Sequence, residues 1–266
     1  MESKFYQADE HRAEKVQELF ATIARQYDLL NDLMSAGLHR RWKRRVVELA
    51  SGERAVEDGR GKGKEVLDLC CGTGDIAFRF ARQGARVTGV DFTEEMLRVA
   101  RAREWPGPAG TPNAPAGVTS PSRTSASRGD VSWVRADALR LPFRDNSFDV
   151  VSVGYGLRNL ADIERGLREI LRVLKPGGKF LSLDFGKPEA KAFRELYFGY
   201  LRMVLPILGR IFCGDPDTHG YILASLPGYP AQRGIRELME SIGYGECGFE
   251  EFCLGSMAIN YGMKPG

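Results

Sequence analysis

At 266 residues with 43% hydrophobic content, the chain is long and apolar enough to bury one full core, so a single α/β unit with additions is expected. A formal net charge of +3 is too small to imply nucleic acid as a partner. The five cysteines, of which Cys70 and Cys71 are adjacent, form neither a disulfide framework nor a zinc spacing, and His11, His39 and His219 are dispersed, so no metal is indicated.

The chain opens MESKFYQADEHR, polar and charged, without a secretory apolar segment, and no stretch reaches the roughly 18 apolar residues of a spanning helix. A cytoplasmic protein is expected, attached at most to the inner face of a membrane. Residues 1–50 read as a helical cap. Ala13 to Tyr27 puts Val16, Leu19, Phe20 and Ile23 on one face, and Trp42 to Leu49 continues in the same style. A polar link, SGERAVEDGRGKGK, opens the second region, 51–266.

That region alternates strand and helix, as a doubly wound parallel sheet requires. Strands are predicted at 65–70, 85–90, 131–135, 148–153 and 179–184, with helices at 75–83, 93–103 and 161–174 between them. Residues 105–130 are dominated by Pro, Gly, Ala, Ser and Thr and have almost nothing to bury. They read as a disordered, deletable insertion without chemistry. Lys175-Pro176-Gly177-Gly178 stops the third helix and turns the chain into the next strand. A long apolar helical region follows residue 186, where Pro206 should kink or end the first helix. A helix from Gln232 to Ile242 and two strands near 246–253 and 256–263 complete the chain. The two strands suit an antiparallel edge hairpin, giving a mainly parallel sheet of seven strands.

The most informative stretch is Glu65 to Asp75, EVLDLCCGTGD. A short apolar strand ends beside Asp68, breaks into the turn Gly72-Thr73-Gly74 and resumes as a helix, which makes a nucleotide-binding βα unit. GTGDIA satisfies the dinucleotide fingerprint, but the acids argue against NAD. Asp75 would stand where backbone N–H groups must meet a pyrophosphate, and Asp68 would add a second repulsion. S-adenosylmethionine (SAM) has no phosphate and carries an ammonium and a sulfonium, so it suits acids near the turn. Asp91 closes the next strand about 20 residues on, within reach of ribose hydroxyls in either cofactor. Asp137, after a third strand, is placed to accept from the adenine amino group.

Ligands of such sheets bind beyond the carboxyl ends of the strands. The fourth strand delivers Gly154-Tyr155-Gly156-Leu157-Arg158-Asn159-Leu160 to that edge. The glycines let backbone approach a ligand, Tyr155 brings a ring and a hydroxyl, and Arg158 brings a fixed cationic fork.

Three stretches carry a family likeness: Tyr27-Asp28-Leu29-Leu30-Asn31-Asp32-Leu33-Met34-Ser35, running on through His39 to Trp42; Gly156-Leu157-Arg158-Asn159; and Arg172-Val173-Leu174-Lys175-Pro176-Gly177-Gly178. From about residue 15 to the end, apart from the insertion, the chain resembles the menaquinone/ubiquinone C-methyltransferases, which methylate the ring of demethylmenaquinone and related prenylated quinols. The resemblance implies a Rossmann-like class I SAM methyltransferase. It puts Thr73, Asp91, Asp137, Ala138 and Gly154 on cofactor contacts; Asp68, Gly72 and Gly74 join them from the turn's own chemistry. The chain departs from the family pattern at Leu30 (usually Met), at Asp184 and Gly186 (usually Glu and Ser) and at Cys70, where a small residue usually begins the glycine turn.

Methyl transfer to a ring carbon needs a deprotonated quinol held near the methyl group. The candidates for this work are Arg158, as a phenolate stabiliser, with Asn159, Tyr27, Asp28 and His39. His39 has the most suitable ordinary pKa for a base, and no unique base is assigned. A prenylated acceptor calls for transient contact with a membrane surface. Residues 193–213, FRELYFGYLRMVLPILGRIFC, suit either an interfacial lid or core packing. Demethylmenaquinol is the expected acceptor. Open alternatives are a benzoquinol, another small acceptor, RNA, a non-catalytic SAM-binding assembly module and, at a distance, an NAD oxidoreductase; a homodimer is also left open.

Overall fold

The computed structural model describes residues 12–24, 27–52, 63–103, 130–213 and 217–266. Most of the expected insertion and of the polar link lie outside them. Three helices come first: α1 (Arg12–Ile23), α2 (Tyr27–Ser35) and α3 (His39–Ser51). The alternating region contains β1 (Glu65–Leu69), α4 (Asp75–Arg82), β2 (Arg86–Asp91), α5 (Glu94–Ala102), β3 (Val131–Arg135), β4 (Phe148–Gly154), α6 (Ile163–Val173) and β5 (Leu174–Phe185). Then come α7 (Lys191–Cys213), α8 (Asp217–Ser225), α9 (Ala231–Ile242), β6 (Gly245–Phe252) and β7 (Met257–Met263).

The seven strands lie in the order β3-β2-β1-β4-β5-β7-β6. The first five are parallel, β7 runs antiparallel to β5, and β6 pairs antiparallel with β7 at the edge. Strand β1 is central, so its run is apolar on both faces. Adjacent residues feed opposite cores. Val66, Val150 and Leu181 pack with Trp42, Val46 and Ile76 on one side. Leu67, Val151 and Phe180 pack with Leu167, Ile170 and Ile235 on the other. Helix α3 therefore belongs to the core of the sheet. Its buried stripe runs His39, Trp42, Lys43, Val46, Val47, Ala50, at the 3.6-residue period.

Three boundaries differ from expectation. The first helix ends at Ile23, and Tyr27 opens a new one, so Tyr27 and Asp28 sit in the first turn of α2 rather than at the end of α1. The Lys-Pro-Gly-Gly turn is absorbed into β5 as a bulge: Leu174 pairs with Phe148, whereas Lys179 pairs with Val150. Helix α7 also continues through Pro206. Proline removes the hydrogen bond to the carbonyl of Arg202, but Arg202 is exposed, where water can take its place. Among the described residues no helix is long and apolar enough to cross a membrane.

Candidate active site

The carboxyl ends of β1, β2 and β4 and the loops after them converge on two cavities and a small recess. The first cavity, about 140 Å³, is walled by Gly72, Asp91, Asp137, Ala138 and Gly154, with Asn159 at its side. The second, about 280 Å³, lies under α2 and α7 and is walled by Tyr27, His39, Tyr155, Arg158 and Tyr221. The recess, about 20 Å³, lies beside the glycine turn and holds Lys43, Asp68, Thr73 and Asp75. Tyr27 and Tyr155 line all three spaces, so the three meet at this pair of rings.

Backbone geometry fixes the first cavity. Asp91 accepts from the N–H of Gly72 at 2.8 Å and of Thr93 at 2.9 Å, locking the glycine turn to the tip of β2. Burial pushes its carboxyl above the usual range, against those hydrogen bonds. Gly74 stands at φ +84°, and an added Cβ would meet Trp133 at 2.4 Å, so side-chain packing forbids any larger residue there. Gly74 thus serves the turn and lines none of the three spaces. The polar wall is rich in acceptors: Asp91, Asp137 and the buried Oδ1 of Asn159, which has no hydrogen-bond partner among the described residues. Ribose hydroxyls and an adenine amino group are donors, so this wall fits the nucleoside of SAM.

Around the turn the acids divide their work. Asp68 accepts from Ser152 at 2.7 Å and from the N–H of Ala77 at 2.9 Å, capping α4 from below. Asp75 is bonded by Lys43 at 2.9 Å and faces Arg79 at 4.0 Å. Burial would raise the Asp75 carboxyl, but Lys43, with Arg79 and Arg103 behind it, takes it down to about 2. The chain thus neutralises Asp75 itself, and the objection to a pyrophosphate rests more on Asp68 than on Asp75.

Burial pushes Asp68 up to about 7, against bonds from Ser152 and Ala77 and the charge of Lys43. Unfolded aspartate titrates near pH ~4, so the folded state holds the proton more tightly. The stability this gives is present below about pH 4 and is lost as pH rises through about 7. A cation beside Asp68 favours the carboxylate instead. Affinity for SAM is therefore expected to rise from about pH 6 to about pH 8 with release of a proton, and Asp68→Asn should flatten the rise. Titration calorimetry in buffers of different ionisation enthalpy checks this; a wild-type affinity independent of pH would contradict it.

In the second cavity Arg158 is wholly buried. Its Nη1 donates to Asp184 Oδ1 at 2.6 Å and to the Tyr155 carbonyl at 2.8 Å, and its Nη2 donates to the Tyr221 hydroxyl at 3.0 Å. The guanidinium also lies 4.9 Å from the centre of the Phe185 ring. Burial disfavours the cation, but Asp184 and Tyr221 hold it charged, with its pKa raised. The aspartate that departs from the family pattern is therefore the counter-ion of Arg158. Tyr155 is held at φ +59°, a strained angle for an aromatic residue, by its N–H bond to Leu183 at 2.7 Å and its carbonyl bond to Arg158. His39 is buried, with Nδ1 3.2 Å from Ser35 Oγ and Nε2 3.4 Å from Asp32 Oδ1. Burial, and then Lys43, lower its pKa, so it stands neutral at pH 7 and able to take a proton. Burial raises the hydroxyl of Tyr27, which therefore stays protonated.

The structure brings Tyr27, His39 and Arg158 together and joins Asn159 to Arg158 through the Tyr155 carbonyl and Tyr221, and it does not bring Asp28 to them. Asp28 accepts from Thr73 Oγ1 at 2.9 Å and pairs with Arg103 at 3.0 Å, tying α2 to the glycine turn. Asn159 donates to the Tyr155 carbonyl at 3.3 Å and lines the first cavity, and its side chain also meets Tyr221 of the second. Sequence reasoning missed Lys43, whose signal was its place on the apolar stripe of α3. It also missed Tyr221, which only the packing of α8 brings to Arg158.

Residues 7–264 match the ubiE/COQ5 methyltransferase family. The chain belongs to this family. It is 36% identical to the ubiquinone/menaquinone biosynthesis C-methyltransferase UbiE of Azotobacter vinelandii over 97% of its own length and 92% of the relative's. Among solved structures it shares its fold with a chain of the complex containing the Haloferax volcanii Trm112 methyltransferase activator (TM-score 0.54, 19% identity, 93% and 98% covered). It likewise shares it with the magnesium protoporphyrin IX methyltransferase of Synechocystis PCC 6803 (TM-score 0.50, 16% identity, 85% and 83% covered). The protein is a SAM-dependent C-methyltransferase of quinone biosynthesis with the Rossmann-like methyltransferase fold.

Proposed function

We propose that the enzyme methylates a ring carbon of a prenylated quinol, with demethylmenaquinol as the acceptor. The observation that carries this reading is the meeting of an acceptor-rich cavity and an aromatic-walled cavity at Tyr27 and Tyr155. SAM supplies an electrophilic methyl group. The chain's own residues do the rest. Tyr27, Tyr155 and Tyr221 form the walls for a flat bicyclic ring, Arg158 stabilises the oxyanion left when the quinol loses its proton, and neutral His39 is the candidate to take that proton. Ionising the quinol makes the neighbouring ring carbon nucleophilic.

Exposed apolar side chains line the second cavity: Leu33 on α2, Leu38 just after it, and Tyr200 on α7. Tyr200 belongs to an exposed stripe with Leu196, Met203, Ile207 and Ile211, on the side of α7 opposite buried Leu201 and Leu205. Such a surface suits the acyl boundary of a membrane and a path for the prenyl tail. Replacing Met203 and Ile207 together by Ser is expected to reduce turnover of a long-chain acceptor in anionic vesicles at least ~5-fold. The same variant should leave turnover of a tail-less acceptor in buffer unchanged. Equal rates with the vesicle substrate would contradict membrane contact through this face.

The acceptor itself is tested by labelled-methyl transfer to reduced demethylmenaquinone and to the corresponding benzoquinol under matched conditions. A kcat/KM at least ~10-fold higher for the naphthoquinol supports the reading. Preference for the benzoquinol would overturn it.

A further inference from the structure

Lys43 is a charged residue on an otherwise core-facing stripe of α3, and it is 4% exposed. Burying an ammonium costs several kcal/mol before any partner is counted, so its position calls for a reason. Its one described hydrogen bond runs to Asp75, which also faces Arg79. Arg79 stands on the same helix, α4, as Asp75, so that carboxylate has a countercharge besides Lys43, and an ammonium has two more N–H donors than the bond to Asp75 uses. The recess it lines has room for one or two water-sized groups, the size of a carboxylate. Glycine-turn residues Gly72 and Thr73 border the recess, Asp68 lies within it, and it adjoins the nucleoside cavity through Gly72, Cys70 and Gly154.

The methionine end of SAM carries one carboxylate and two cationic centres. The recess carries one cation, Lys43, and two acids, Asp68 and Asp75. The signs are complementary. Resting on the SAM dependence established above, we propose that Lys43 binds the methionine carboxylate of the cofactor while Asp68 faces its cationic part.

The test compares SAM with decarboxylated SAM, which lacks only that carboxylate, by calorimetry on wild type and Lys43→Met. Wild type is expected to prefer SAM by about 30- to 100-fold, the size of one buried charge-assisted contact. Lys43→Met should lose that preference by weakening SAM alone, and Lys43→Arg should keep most of it. Equal weakening of both ligands would assign Lys43 a structural role and overturn the proposal, as would an undiminished preference for SAM. If Lys43→Met unfolds because Asp75 is left with too little countercharge, the double variant Lys43→Met/Asp75→Asn carries the same comparison. Failure of wild type to bind either ligand would instead overturn the cofactor assignment, a distinct result.

Discussion

Arg158→Met is expected to destabilise the protein by about 3–5 kcal/mol and to slow methyl transfer roughly 10²- to 10³-fold in the fraction that remains folded. The first effect comes from Asp184, which is 2% exposed and would keep a buried charge without its partner. The second comes from loss of the guanidinium that the second cavity offers beside Tyr155 and Tyr221. The two effects separate in Arg158→Met/Asp184→Leu, where the acid is removed as well. Replacing both members of a buried pair by apolar groups costs far less than removing one. Urea unfolding should therefore show most of the stability restored, while single-turnover transfer stays slow. Recovery of transfer along with stability would mean that the pair only holds the fold. Loss of SAM binding in the double variant would mean that Arg158 acts on the cofactor side of the Tyr155 turn.

Asp91→Ala is expected to weaken SAM binding at least ~100-fold. The side chain leaves two backbone N–H groups, of Gly72 and Thr93, without acceptors, and each buried orphan costs about 1–3 kcal/mol. The glycine turn then loses its tie to β2, and the cavity loses the acceptor best placed for a ribose. Asp91→Asn keeps one oxygen and should fall between wild type and alanine. Calorimetry with S-adenosylhomocysteine measures the series; an affinity within ~3-fold of wild type for Asp91→Ala would remove Asp91 from the nucleoside site.

Much of the fold was written in local pattern. The apolar runs at Val66-Leu67-Leu69 and Val150-Val151-Val153 announce buried parallel strands, because both faces of a central strand need apolar cover. The glycine turn and the acid closing β2 were legible for the same reason, as a ligand-facing backbone needs those residue types at that spacing. What the sequence hides is pairing across distance. Asp184 drew notice as a family departure, yet nothing local says that it meets Arg158, 26 residues earlier. Tyr221 reaches the same guanidinium from 63 residues away. Asp28 was grouped with the acceptor chemistry by its place in the N-terminal motif, and the folded chain puts its carboxylate on Thr73 instead. Lys43 escaped notice because a lysine beside a tryptophan reads as a solvated face until the stripe His39-Trp42-Lys43-Val46-Val47-Ala50 is seen buried. Helix α7 does not end at Pro206, because the bond that proline removes lies beside exposed Arg202, whose carbonyl water can reach, in a helix of 23 residues.

The meeting of the two cavities at Tyr27 and Tyr155 is the centre of the account, and the position of the transferred methyl tests it most directly. Enzyme, SAM carrying a ¹³C-methyl group and reduced demethylmenaquinone are mixed for a single turnover, and the product is read by NMR. The account predicts a label on the ring carbon next to the quinol oxygen, with Arg158→Met slowing its appearance and leaving its position unchanged. A label on oxygen, or no transfer while the cofactor stays bound, would contradict it.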